Sequence, residues 1–152
     1  MTDNLYKNTE MMNKLDEFLL DIQKPARYIG GEVGSVIKDK SKVDVRFAFC
    51  FPDTYEIGMS HLGMKILYGL KNAVPNYWCE RVFMPLPDME EQMRRRGIPL
   101  YALESLDPIR EFDFIGFTIQ YELCYTTILE MLDLADLPLV ARDAGHAGRV
   151  DA

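Results

Sequence analysis

The chain's hydrophobic and polar positions follow two periods. Near the start, Leu15, Phe18, Leu19 and Ile22 fall at i, i+3, i+4 and i+7, the apolar stripe of a short helix. Asn13 stands where a cap would, and Pro25 ends the stripe. Residues 1–13 are polar and read as a flexible N-terminus. From Arg27 to Gly34 glycine is too frequent for a helix. This reads as a loop or hairpin leading into Ser35-Val36-Ile37-Lys38, with a solvated turn over Asp39-Lys40-Ser41-Lys42. Residues 14–42 therefore form a helix and loop extension ahead of the main fold.

From Val43 the pattern changes. Val43 to Phe51 alternates and then becomes continuously apolar, as a strand does on entering a covered sheet, and Pro52 closes it. Ser60 is placed to cap a helix running to about Asn72, with Leu62, Ile66, Leu67 and Leu70 on one face. Glu80 to Met84 is a second strand. Asp88-Met89-Glu90-Glu91 has the spacing of a capping box. That helix stops at Gly97, with Arg94, Arg95 and Arg96 in a last turn where positive charge suits the dipole. Pro99 to Glu104 suggests a short edge strand. Phe112 to Ile119 is apolar on both faces and predicts a central strand. A helix follows from Tyr121 to Asp136, its start left open by a second capping-box spacing at Thr127 and Glu130. Leu139-Val140-Ala141 begins one more strand, and residues 142–152 read as a tail. Strands alternating with helices imply crossover connections, and hence a mainly parallel α/β sheet with helices on both faces. The fold expected over residues 43–141 is Rossmann-like, in its flavodoxin-like form. It carries fewer strands than usual, as if cut short at its C-terminus.

Composition narrows the function. The chain has 152 residues, 48% of them hydrophobic, and a net charge of −7, which sets most of its surface against a phosphate backbone. Nucleic acid is thus an unfavoured partner. No apolar run approaches the roughly 20 residues needed to cross a bilayer, and the polar N-terminus lacks a signal peptide's apolar region. Cys50, Cys79 and Cys124 are odd in number and far apart, and read as reduced thiols in a cytoplasmic protein. They form no local metal or cluster motif. There is no Walker loop, nucleophile elbow or Cys-x-x-Cys pair, and Gly30-Gly31-Glu32-Val33-Gly34 lacks the dinucleotide spacing. No catalytic residue is assigned.

Open parallel sheets bind ligands beyond the carboxyl ends of their strands. The segment after the first strand supplies Asp53, Tyr55, Glu56, Ser60 and His61, and the segment after Ile119 supplies Gln120, Tyr121 and Glu122. Two readings fit. These groups either line a ligand crevice or serve as caps and shields at the sheet edge. A cobalamin-binding fold with a histidine as lower axial ligand would need Asp-x-His-x-x-Gly. Met59-Ser60-His61-Leu62-Gly63-Met64 lacks both the acid and the glycine.

The run Phe51-Pro52-Asp53-Thr54-Tyr55-Glu56-Ile57-Gly58-Met59-Ser60-His61-Leu62-Gly63 resembles the N-terminal region of a family of radical SAM proteins with a cobalamin-binding-like domain. Segments around Pro25–Glu32, Glu80–Pro85, Leu103–Ser105 and Phe112–Leu123 agree in order. The resemblance implies a Rossmann-like domain ahead of a barrel that holds a 4Fe-4S cluster and S-adenosylmethionine, with that barrel as the domain's partner. Cobalamin, or part of the substrate, is the ligand it suggests for this domain. A non-catalytic module that docks the barrel or a macromolecular substrate is the alternative. Two features depart from the family. The Cys-x-x-x-Cys-x-x-Cys motif is absent, and Ala144-Gly145-His146 stands where Gly-Gly-Pro is expected. An isolated domain of this kind is expected to expose a sheet edge and to form a homodimer.

Overall fold

A computed structural model of the chain describes residues 7–140. The first six residues, Ala141 and the tail predicted after it lie outside the described residues. The centre is a parallel sheet of β1 (Val45–Phe51), β2 (Tyr77–Phe83) and β3 (Phe114–Phe117), in the order β2-β1-β3. β1 is registered with Phe47 opposite both Cys79 and Phe114. It is therefore β1 that occupies the middle, which is why its end is continuously apolar. Phe49 and Phe51 pack on one face with Met64 and Tyr68. Ala48 and Cys50 pack on the other with Met89, Met93, Met131 and Leu134. This is the α/β, flavodoxin-like arrangement that the alternation of strands and helices predicts.

β3 corrects the expectation of a central strand. It is four residues long and has β1 as its one neighbour among the described residues. Ile115 and Phe117 pack into the core while Phe114 stays exposed. Apolar residues on both faces did not mark a strand covered on both. At the opposite edge, the expected strand over Pro99–Glu104 is replaced by a buried segment running alongside β2. Leu103 N–H donates to Arg81 O at 2.9 Å, and Tyr101 and Pro108 form an isolated antiparallel bridge. A reversal with Leu106 at φ 62° turns the chain back before a strand can lengthen.

The helices are displaced from their sequence signals for visible reasons. α1 (Thr9–Asp16) starts ahead of Asn13 because Asn8 caps it, accepting from Met11 N–H at 3.0 Å. Leu15, Phe18, Leu19 and Ile22 are all buried, although the last three follow the helix, around a 3-10 turn at Leu19–Asp21. α2 (Tyr55–Ser60) and α3 (Leu62–Asn72) divide at His61, whose Nδ1 caps α3 by accepting from Met64 N–H at 3.1 Å. Ser60 is not the cap; its hydroxyl donates to Ile57 O at 2.8 Å. α3 also turns its expected apolar stripe outward, leaving Leu62, Ile66, Leu67 and Leu70 between 45% and 68% exposed. Polar tethers on the other face fix that rotation. Asn72 exchanges two hydrogen bonds with the Cys79 backbone, and Tyr68 donates to Glu104 at 3.0 Å.

α4 (Pro87–Arg96) begins with proline in its first turn and ends at Gly97, φ 62°, as the arginine run predicts. There is no capping box. Asp88 accepts from Met89 N–H at 2.9 Å and from Gln23 N–H at 2.8 Å, tying the N-terminal extension to the helix start. α5 (Cys124–Leu134) begins three residues after Tyr121 and ahead of Thr127. The 30–38 loop forms no hairpin. It crosses the α3 side of the sheet, where Gly30 passes so close to the Leu103 carbonyl that a Cβ would lie 2.2 Å away.

Candidate functional site

The connections after β1 and β3 leave for opposite faces of the sheet, α3 to one and α5 to the other. Between them, at the carboxyl ends of the strands, lies a cleft of about 320 Å³. Asp53, Tyr121, Thr127, Glu90 and Glu130 supply its polar and aromatic lining, and Pro52 and Met84 to Pro87 its apolar wall. Asp53 is held by Thr54 N–H at 2.7 Å, while its carbonyl takes Met84 N–H at 3.0 Å, so the turn after β1 is fastened to the end of β2. Burial, then the neighbouring Glu90 carboxylate, holds Glu130 above the usual carboxylate range. Ile57, Ile119, Tyr121, Leu123 and Tyr125 are exposed on these connecting segments.

Of the residues singled out in the sequence, Asp53 and Tyr121 meet in this cleft. Tyr55 lies in a small neighbouring recess, edge-on to Phe83 at 5.5 Å. Its hydroxyl is pushed up by burial and by the Glu32 carboxylate. Glu56 is exposed and ion-paired with Arg27 and Lys24. Ser60 and His61 carry local backbone hydrogen bonds, with the imidazole centroid 5.3 Å from that of Phe51. Gln120 and Glu122 are exposed and do not line the cleft. Thr127 and Glu130 were missed as site residues because their capping-box spacing read as a helix signal, and Glu90 because it lies inside the expected Asp88–Glu91 box. Charged residues inside apolar strands were the other available signal. Arg46 and Glu80 pair at 2.6 Å on one face of the sheet, joined by Ser105 and Asp107. Arg81 and Glu104 pair at 2.7 Å on the other.

Among the described residues, neither an imidazole offered through Nδ1 nor a set of thiolates is arranged to hold a metal cofactor. His61 Nδ1 is committed to its helix cap, which removes that nitrogen as an axial ligand. Cys50, Cys79 and Cys124 are buried; desolvation pushes the Cys79 thiol up to about 12 and raises Cys50 as well, the reverse of a cluster-ligating thiolate. Among the described residues no group of three or more His, Cys, Asp or Glu side chains is gathered to hold a metal ion. No helix among them is long and apolar enough to cross a membrane.

Sheet order and cleft together define a doubly wound α/β domain whose open position lies where the chain's connections diverge. Residues 63–148, more than half of the chain, match the family described as radical SAM proteins, N-terminal, and the chain belongs to that family. No curated protein and no solved structure matches it.

Proposed function

We propose that the chain is a non-catalytic accessory domain of a radical SAM protein that carries a corrinoid on the carboxyl-end edge of its sheet. The radical chemistry would belong to a catalytic barrel of the same protein, which would hold the 4Fe-4S cluster and S-adenosylmethionine. The supporting observation is the sheet-end cleft of about 320 Å³ with apolar side chains exposed beside it. The cleft suits a substituent or tail, and Ile119, Tyr121 and Leu123 offer apolar surface to a broad flat ring. Asp53 and Tyr121 would orient the ligand's polar edge. Binding would be base-off without His61, which lacks the acid two residues before it and the glycine three residues after it that the axial-ligand motif needs.

The experiment is to equilibrate the protein with hydroxocobalamin, desalt it and record the visible spectrum. Retained, shifted absorbance that survives His61→Ala and falls at least about tenfold in Tyr121→Ala supports the proposal. A colourless protein contradicts it. That result would favour a docking module for the barrel, a reading supported by the exposed apolar stripe of α3.

A further inference from the structure

A second opening, of about 380 Å³, lies against a flank of α3, and the residues that line it are all different from those of the sheet-end cleft. Val36, Met59, Met64 and the ring of Tyr68 form its apolar wall, and Val33 stands exposed at its rim. The charged residues of the lining are Arg81 and Lys65, and both are cations.

Arg81 enters this opening with an unfinished set of hydrogen bonds. Its side chain is 8% exposed, and its guanidinium carbon lies 4.6 Å from the centroid of the Tyr68 ring, which holds the group in place. Nε donates to Glu104 at 2.7 Å, and Nη2 donates to Ser35 Oγ at 2.7 Å and to Glu32 Oε2 at 3.3 Å. None of those three acceptors lines the opening. Nη1 has one acceptor among the described residues, the Met59 thioether at 3.2 Å, a weak partner for a buried guanidinium. Met59 is itself part of the wall, so the under-used nitrogen is the one on the side of the opening. The Tyr68 hydroxyl does not serve it, because it accepts from Val36 N–H at 2.8 Å and donates to Glu104 at 3.0 Å. Lys65 is exposed and has no ion pair among the described residues. The wall is apolar, two cations face the space and no carboxylate lines it. The partner this chemistry selects is an anionic acceptor on an apolar body.

We propose that this opening binds a small monocarboxylate with an apolar body. One carboxylate oxygen would accept from Arg81 Nη1, the other would face Lys65, and the body would lie along Val36, Met59 and Met64. Hexanoate is the probe, hexanamide its uncharged counterpart, and inorganic phosphate an anion without the apolar body. The readout is the backbone amide spectrum of the ¹⁵N-labelled full chain at neutral pH. Lys65 is exposed on α3, so Lys65→Glu should fold and reverse one of the two charges.

Hexanoate is expected to give saturable shifts at Gly34, Met59 and Gly69 and to bind about fivefold more tightly than hexanamide. Inorganic phosphate is expected to give no saturable shifts there. Lys65→Glu is expected to weaken hexanoate about tenfold and to leave hexanamide unchanged, with the far-ultraviolet circular dichroism unaltered. Absence of saturable hexanoate shifts at those residues overturns the proposal, as does hexanamide or phosphate binding as tightly as hexanoate. Equal losses of hexanoate and hexanamide in a folded Lys65→Glu would do the same. The comparison of the three probes on the unmodified chain decides the matter even if the variant misfolds.

Discussion

The buried charges follow a simple residue-scale rule: each is bonded to a partner reached across the chain. The segment after Leu103 sends Glu104 to one face of the sheet and Ser105 to the other, so Arg81 and the Arg46–Glu80 pair are served by adjacent residues. Glu80 accepts from Arg46 Nε and Nη2 and from Ser105 N–H, all of which favour its ionised form. Burial outweighs them and pushes its carboxyl up to about 7 from 4.5. The folded state therefore binds a proton more tightly than the unfolded one. Stability from this group is complete below about pH 4.5 and lost as pH rises through about 7, by on the order of 3 kcal/mol. Urea unfolding at pH 5 and pH 8 should show that decline in the native sequence and a flatter profile in Glu80→Gln. Equal slopes would refute the assignment.

At the element scale, His61 rather than Ser60 starts α3. Ala at position 61 should cost about 1 kcal/mol, and Ala at position 60 little, because the Ser60 hydroxyl serves only the preceding turn. Thermal unfolding of the two variants checks this, and the reverse order would restore the serine cap. β1 and the stop of α4 at Gly97 were legible, since local apolarity, Pro52 and a left-handed glycine act over a few residues, and β2 was legible in part, because it begins at Tyr77, three residues before the expected Glu80. The rotation of α3 was not. Leu62, Ile66, Leu67 and Leu70 are a proper amphipathic stripe, and the bonds from Tyr68 to Glu104 and from Asn72 to Cys79 hold the opposite face inward. The candidate site was half legible for the same reason. Asp53 and Tyr121 follow strand ends directly, whereas Glu90, Thr127 and Glu130 reach the cleft from helices packed by long-range contacts.

Among the described residues, the outward stripe of α3 is left uncovered, and so is one edge of β3, which has β1 as its one neighbour there and exposes Phe114. A strand edge beside apolar side chains is a template for another chain. The isolated chain is therefore expected to associate as a two-fold dimer, and Ile66→Glu with Leu70→Glu should weaken that association with little loss of stability. Light scattering over a dilution series tests it. A mass near 17.5 kDa at every concentration would exclude the dimer.

The proposed binding of a corrinoid at the sheet-end cleft is tested most directly by electron paramagnetic resonance of the protein with cobalamin reduced to its cobalt(II) form. The account predicts a protein-retained cobalt signal without nitrogen splitting, identical in His61→Ala and lost in Tyr121→Ala. A nitrogen-split signal that disappears in His61→Ala, or no retained cobalt at all, would contradict it.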